Sequence, residues 1–247
     1  MPDLKKSLGY RYLQETKFDR ETIMSRPRPR VGPTAQFKVY DQAPQVQLPG
    51  PQGLEIPLAG TLQARRSRRR FAPVSITFEQ AASLLWAAQG VTATAGRLKL
   101  RTSPSAGGLY PVETYVVIQN VEQVPAGLYH LNVRDWSLEE LRQGDFSNRV
   151  AQAGLGQGFM AQAGLNVVWS SVLRRNMVKY GHRGLRYVLL DAGHVCQNLL
   201  LAAEALGLGA CAVGAFFDDE FNSLFDLDGQ EESVVYSASV GVLGREG

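Results

Sequence analysis

Seven apolar side chains, Leu185, Leu189, Ala192, Cys196, Leu199, Ala203 and Leu206, recur in alternating steps of four and three. That spacing follows the 3.6-residue period and predicts one helix of about 22 residues, roughly 33 Å long. A helix with so long an apolar seam must lie against a sheet or other helices, which places it at the centre of the domain. Gly207 and Gly209 are read as its stop, Ala210–Ala215 as a strand of small residues, and Asp218 as the cap of a short helix bearing Phe221, Leu224 and Phe225. Val234–Val242 closes the chain as a strand.

Working back towards the N-terminus, Thr77 followed by Gln80 is a capping pair, and Phe78, Ala81, Leu85 and Ala88 recur at helical spacing up to Gly90. A polar loop follows. Thr114–Ile118, Gly127–Leu131 and Asn166–Val172 are rich in β-branched or alternating residues and read as strands. A Gly-rich linker at 154–164 separates the last two. Helices interleaved with strands and a hairpin-like middle predict an α+β sandwich rather than a strictly alternating doubly wound sheet.

Seven of the twelve prolines fall between Pro27 and Pro57. Fixed φ and missing donors disfavour regular structure there, so residues 1–58 are read as an N-terminal arm lying on the domain or on a partner subunit, and 59–247 as the folded domain. A short helix is expected near Asp19–Met24. At 247 residues and 45% hydrophobic content the chain can bury a core of this size. No stretch approaches the roughly 18 apolar residues of a membrane span, and Lys5-Lys6 precedes no apolar run and cleavage site. The expectation is a cytoplasmic chain with no membrane contact.

Two cysteines, Cys196 and Cys211, and three scattered histidines, His130, His182 and His194, match no metal-ligand spacing, so no metal is expected. His194, inside the long helix, is read as structural. The net charge is only +3, yet Arg65, Arg66, Arg68, Arg69 and Arg70 place five positives within six residues. A general nucleic-acid binder would be expected to spread charge over a face, whereas a local cluster of planar guanidiniums with the Ser67 hydroxyl suits one or two phosphates. The loop Arg101–Pro111, rich in Gly and Ser, lets a ligand approach the backbone. Gly154-Leu-Gly156-Gln-Gly158 follows no convincing strand and is rejected as a dinucleotide fingerprint. Lys179-Tyr180, in a polar stretch after the third strand, could serve as an acid/base pair or simply as a surface lysine beside a core tyrosine.

In order and spacing, several segments resemble the SagB-type branch of the nitroreductase superfamily. They are Tyr12–Phe18, Arg65–Phe71, Ser83–Gly90, Pro104–Glu113, Lys179-Tyr180-Gly181 leading into Gly193–Asn198, and Gly209–Phe216. The resemblance implies a three-layer α/β/α sandwich with a mostly antiparallel sheet and an extended N-terminal arm. It also implies a homodimer with FMN at the subunit interface. Arg65, Arg66, Ser67, Arg69 and Arg245 would hold its phosphate, Ser105 and Gly107 would lie beside the flavin, and the backbone of Val213, Gly214 and Ala215 would approach its pyrimidine and reactive nitrogen. Lys179 and Tyr180 match the branch's catalytic pair, with azoline oxidation to azoles as the reaction and a cyclodehydratase and a peptide as partners. Two rivals stand beside this: an NAD(P)H-dependent reductase of nitroaromatics, quinones or enones, and a non-enzymatic anion or nucleic-acid binding module built on the arginine run.

Overall fold

The computed structural model describes residues 4–18 and 34–244. The short helix expected at Asp19–Met24 and the phosphate contact expected of Arg245 lie outside the described residues. The chain folds as an α+β sandwich of three layers. Its middle layer is a seven-stranded sheet in which every pairing is antiparallel. The strands are β1 (Gln45–Gln47), β4 (Val112–Ile118), β5 (Gly127–Asn132), β6 (Ser137–Gln143), β7 (Leu165–Val172), β8 (Leu208–Val213) and β9 (Glu232–Val242), in the order β1-β6-β5-β4-β7-β9-β8. A separate hairpin of β2 (Val91–Ala95) and β3 (Leu98–Arg101) occupies the stretch read as a polar loop. Its strands expose most of their side chains, so no burial alternation marked them in the sequence.

The two faces of the sheet make two cores, as the period of two requires. Val112, Val116, Ile118, Leu165, Val167 and Trp169 face one way. They pack under α3 (Phe78–Gln89) and the long helix α7 (Gly184–Ala205). Tyr115, Val117, Leu128, Val168, Val213 and Val234 face the other way. That side is covered by α4 (Ser147–Ala153), α5 (Phe159–Gln162) and α8 (Asp218–Leu224). The stretch 154–164 thus holds one turn of helix, and Asp218 is the first helical residue of α8, Phe217 standing at the cap without a side-chain bond.

Local signals agree with these positions. Thr77 and Gln80 form a reciprocal capping box at 3.1 Å in both directions. Such a cap contributes about 1 kcal/mol, less than the 2–5 kcal/mol typical of truncating one core leucine, so the core rather than the cap holds α3. Gly90 ends that helix with an ordinary φ of −57°. It must be glycine because a Cβ there would sit 2.3 Å from Trp86 Cδ1. The seam of α7 is shifted by one residue at its start: Val188 is buried and Leu189 is half exposed, after which Ala192, Cys196, Leu199 and Ala203 face inward as their spacing predicts. Among the described residues no helix is long and apolar enough to cross a membrane.

Two further helices come from stretches read without regular structure, α1 (Leu8–Glu15) and α2 (Leu58–Ala64). A third, α6 (Leu173–Tyr180), follows directly on β7.

Candidate active site

The Ser105–Pro111 loop and the end of α6 meet at one point. Gly107 has φ +66°, and a Cβ built on it would lie 2.5 Å from both Lys179 Nζ and Tyr180 Oη. Only glycine supplies that backbone and leaves that space. Gly108 (φ +66°) and the non-glycine Tyr110 (φ +46°) continue in the left-handed region, a conformation that costs energy for Tyr110 and persists only where surroundings fix it. Those surroundings are identifiable. The Ser105 hydroxyl donates to Asp191 Oδ2 at 2.6 Å and accepts from the Tyr110 amide at 2.9 Å, while the Ala106 amide donates to Asp191 Oδ1. The Tyr110 hydroxyl accepts from the Arg101 amide at 3.1 Å, and its ring lies under the Arg101 guanidinium. Burial pushes the Asp191 carboxyl above the usual range, held back by the Ser105 and Ala106 bonds.

Lys179 is exposed and Tyr180 half-buried. Lys179 Nζ stands 5.3 Å from the centre of the Tyr180 ring, which meets Tyr187 edge-on at 4.8 Å. Residues 12–18 reach this turn: Tyr12 Oη donates to the His182 carbonyl, Arg183 donates to the Thr16 carbonyl and lies 4.2 Å from the Phe18 ring centre, and Arg186 donates to the Thr16 hydroxyl.

Behind this point the sheet face is not apolar. Arg175, on α6, donates to the Tyr110 carbonyl at 3.0 Å and places the same nitrogen 2.5 Å from Glu113 Oε1. The second contact is off the N–H direction, so it acts by charge rather than as an aligned bond. Glu113 Oε2 is 3.3 Å from His130 Nε2, and His130 Nδ1 is 2.7 Å from Glu139 Oε2. Asn132 donates to Glu139 Oε1. All are buried. Burial alone would raise the Glu113 carboxyl, but His130, Arg175 and Arg101 outweigh it and hold it at about 2. Burial would likewise depress His130, but its two flanking carboxylates keep it above its ordinary value. Burial brings Arg101 down to about 10 against the pull of Glu113.

The arginine run lies elsewhere, along β8. Ser67 bridges Ala210, the Arg68 amide donates to the Ala210 carbonyl at 2.9 Å, and Phe71 bridges Leu243. Arg66, Ser67, Arg69 and Arg70 are exposed and Arg65 partly so. Arg69 lies over Phe159, and Arg66 donates to the Gln63 and Arg65 carbonyls. At the far end of β8 Val213 is buried, whereas Gly214 and Ala215 are exposed. The Ala215 carbonyl is held by Gln157.

The structure therefore brings Ser105 and Gly107 together with Lys179 and Tyr180, and sets Arg65–Arg69 beside the strand that ends at Val213–Ala215. The two groups rest on different elements, the arginines at Ala210 on β8 and Ser105 at Asp191 on α7. A groove lined by Thr61, Leu201, Ala202 and Ala205 also takes in Thr102 and Asn198, and Asn198 donates to the Ser103 hydroxyl at the foot of the Gly107 loop. Among the described residues no group of three or more His, Cys, Asp or Glu is placed to hold a metal ion, and Cys196 and Cys211 are buried free thiols. His194 is exposed on α7 rather than interior.

Sequence reasoning missed Asp191, Arg175 and the Glu113–His130–Glu139 chain as site residues. A signal existed. Glu113, His130 and Asn132 sit in otherwise apolar strands at positions that share a face with Tyr115 and Leu128, and a charged residue at a core-facing strand position needs a buried partner.

A family model described as "Nitroreductase family" matches residues 62–242. A protein of Methanocaldococcus jannaschii named as a nitroreductase is 36% identical over 183 residues, 74% of this chain and 90% of that protein. The microcin B17-processing protein McbC of Escherichia coli is 26% identical over 133 residues, 52% of this chain and 49% of its own length. A solved structure from Anabaena variabilis, also named as a nitroreductase, matches with a TM-score of 0.76 at 25% identity over 95% of this chain and 47% of that one. The chain thus spans about half the length of these last two proteins. The E. coli microcin synthetase McbBCD complex with truncated pro-MccB17 shares the fold, with a TM-score of 0.63 at 21% identity over 75% of this chain and 73% of that one. The match over residues 62–242 and the archaeal relative together establish that this chain is an oxidoreductase belonging to the nitroreductase family.

Proposed function

We propose that this oxidoreductase is an FMN-dependent dehydrogenase of the SagB type, oxidising a thiazoline or oxazoline ring of a peptide to the aromatic azole. The observation that carries the reading is the convergence of Lys179 Nζ and Tyr180 Oη on Gly107. Aromatising an azoline removes a proton from one ring carbon and a hydride from the next, so it needs a basic side chain beside a hydride acceptor. A reductase passing hydride from a nicotinamide to a nitroaromatic needs no base directed at carbon.

The residues present fit FMN. Exposed Arg66, Ser67 and Arg69 with Arg65 match phosphate, because guanidiniums bind its oxygens bidentately. The exposed Gly214-Ala215 backbone presents little side-chain bulk to a flat ring system, and the small residue at Gly107 lets the Lys179 and Tyr180 head groups close on the same loop. Bound FMN supplies the hydride acceptor. In this reading Lys179 takes the ring proton, Tyr180 orients the lysine and the substrate, and the Ser105–Tyr110 loop fixes the distance between them. Because the arginine group and the Gly107 group rest on different elements, β8 and α7, a composite site formed by two copies of the chain, with the cofactor at their interface, fits both. Half-exposed Leu189 and Leu190 on α7 and Leu58 and Leu62 on α2 give apolar area for such pairing. A cyclodehydratase partner belongs to the same reading, supported by the likeness to the microcin-processing protein and its synthetase complex, and a cytoplasmic location is proposed with it.

The name of the archaeal relative favours a second reading, an NAD(P)H-dependent reductase. Visible spectra of the purified protein separate the two. Flavin bands that resist NADH and NADPH without oxygen but bleach with an azoline peptide support the dehydrogenase; rapid bleaching by a nicotinamide supports the reductase. Lys179→Ala is expected to keep the flavin bands and to lose azoline turnover by about 10²- to 10⁴-fold.

A further inference from the structure

An eight-residue helix does not persist in water by itself, because nucleation is unfavourable and few bonds follow it. What grips α6 therefore decides where its last two residues point. Its first turn has no side-chain cap, and its C-terminal end stops at Gly181 with φ +56°. The Leu173 amide bonds the Glu231 carbonyl. The main side-chain grip is Arg175, 5% exposed, one helical turn before Lys179 and on the same face.

Arg175 holds the Tyr110 carbonyl and faces the Glu113 carboxylate. Tyr110 and Glu113 belong to the segment that carries Gly107. One guanidinium therefore ties the helix bearing the lysine and tyrosine to the loop on which those two groups converge. Glu113 is itself fixed from behind by His130, His130 by Glu139, and Glu139 by Asn132. Tyr110 is held in its left-handed conformation from both sides, by Arg101 at its hydroxyl and Arg175 at its carbonyl.

We propose that Arg175 and Glu113 are positioning residues for the proposed chemistry, setting Lys179 and Tyr180 against Gly107 through the Tyr110 carbonyl. Neither touches the reacting atoms. The inference rests on the reading of Lys179 and Tyr180 given above, and deepens it by assigning the buried charges an active role. Displacement of a reacting group by about 1 Å can slow a reaction by about 10²-fold, so loosening this clamp acts on rate more than on binding.

The test uses full-length protein with its flavin and an azoline peptide. Arg175→Met keeps the buried stem and removes the clamp. It is expected to lower kcat by about 30- to 100-fold with KM within about threefold and flavin retained. Amide hydrogen exchange at residues 177–181 should quicken at least about tenfold while α3 and α7 keep their protection. Arg175→Lys should recover part of the rate. Because Arg175 acts through Lys179, Arg175→Met with Lys179→Ala should be no slower than Lys179→Ala alone.

Exchange and kcat both within about twofold of the parent in Arg175→Met, or a fully multiplicative loss in the double variant, overturns the proposal. If Arg175→Met does not fold, Arg175→Lys takes its place in the same series. A parent protein without azoline turnover counts against the dehydrogenase reading alone; exchange at 177–181 and the acetylation rate of Lys179 then decide the clamp.

Discussion

The arginine run at residues 65–70 and the buried cluster of Glu113, His130, Glu139 and Arg175 both gather charge at high density, but they do so in opposite surroundings. The run is one continuous stretch of a single sign and mostly exposed. The cluster alternates sign from one element to the next, is almost wholly buried, and comes from β4, β5, β6 and α6. Water screens the first, so its fold can tolerate the mutual repulsion. The second must balance itself internally, since an unpaired charge away from water is strongly destabilising. Charge dense along the chain is thus available to a ligand, whereas charge dense only in space serves the geometry.

The largest expected effect breaks the buried side of this contrast. Glu113→Gln leaves Arg175 and Arg101 facing a neutral amide and should lower unfolding stability by about 3 kcal/mol in urea; a loss under about 1 kcal/mol would mean the cluster behaves like surface charge.

A pH series sharpens it. The Glu113 carboxyl, held at about 2 where an ordinary glutamate titrates at 4.5, stabilises the fold above pH 4.5, and that contribution is lost as pH falls towards 2. His130, raised from 6.5 by Glu113 and Glu139 against burial and packed between the Tyr40 and Tyr115 rings, stabilises fully below pH 6.5 and loses its contribution as pH climbs through its folded value. Stability should peak between these limits, and His130→Gln should flatten the alkaline limb. An unchanged limb in that variant would exclude His130 as its source.

The smallest expected effect on the fold falls on the exposed side. Arg66→Ala should change unfolding stability by less than about 0.5 kcal/mol while weakening flavin retention about tenfold at low salt, a difference that shrinks as salt rises and screens the exposed guanidinium. Loss of folding instead would show that the run is a structural element.

Periodic segments and caps were legible in the sequence because their signals are local. The α7 seam, the Thr77–Gln80 box and strands β4, β5, β7 and β9 each state their own element. β6 was not, since Ser137–Gln143 mixes polar and apolar residues and owes its place to pairing with β5 and β1. Of the candidate site, Gly107, Lys179 and Tyr180 are named by the sequence, but their meeting is not readable, because 72 positions separate Gly107 from Lys179 and that distance is closed by the β4–β7 pairing, the Val172 amide on the Pro111 carbonyl and the Arg175 contacts. Arg175 and Lys179, four apart in a polar stretch, were the available hint of a helix face.

The three-residue strand β1 carries a consequence for how the protein behaves in bulk. Gln45–Gln47 pairs with Ser137–Glu139, and the Pro44 carbonyl takes the Glu140 amide, so that part of the edge of β6 is covered and Leu141 to Gln143, with the charged Arg142 among them, are the remainder. An uncovered edge is a template on which a second chain can add. A shortened protein lacking the first 50 residues would keep most of its core yet bare seven consecutive edge residues, and its failure would take the form of precipitation during expression rather than loss of the fold.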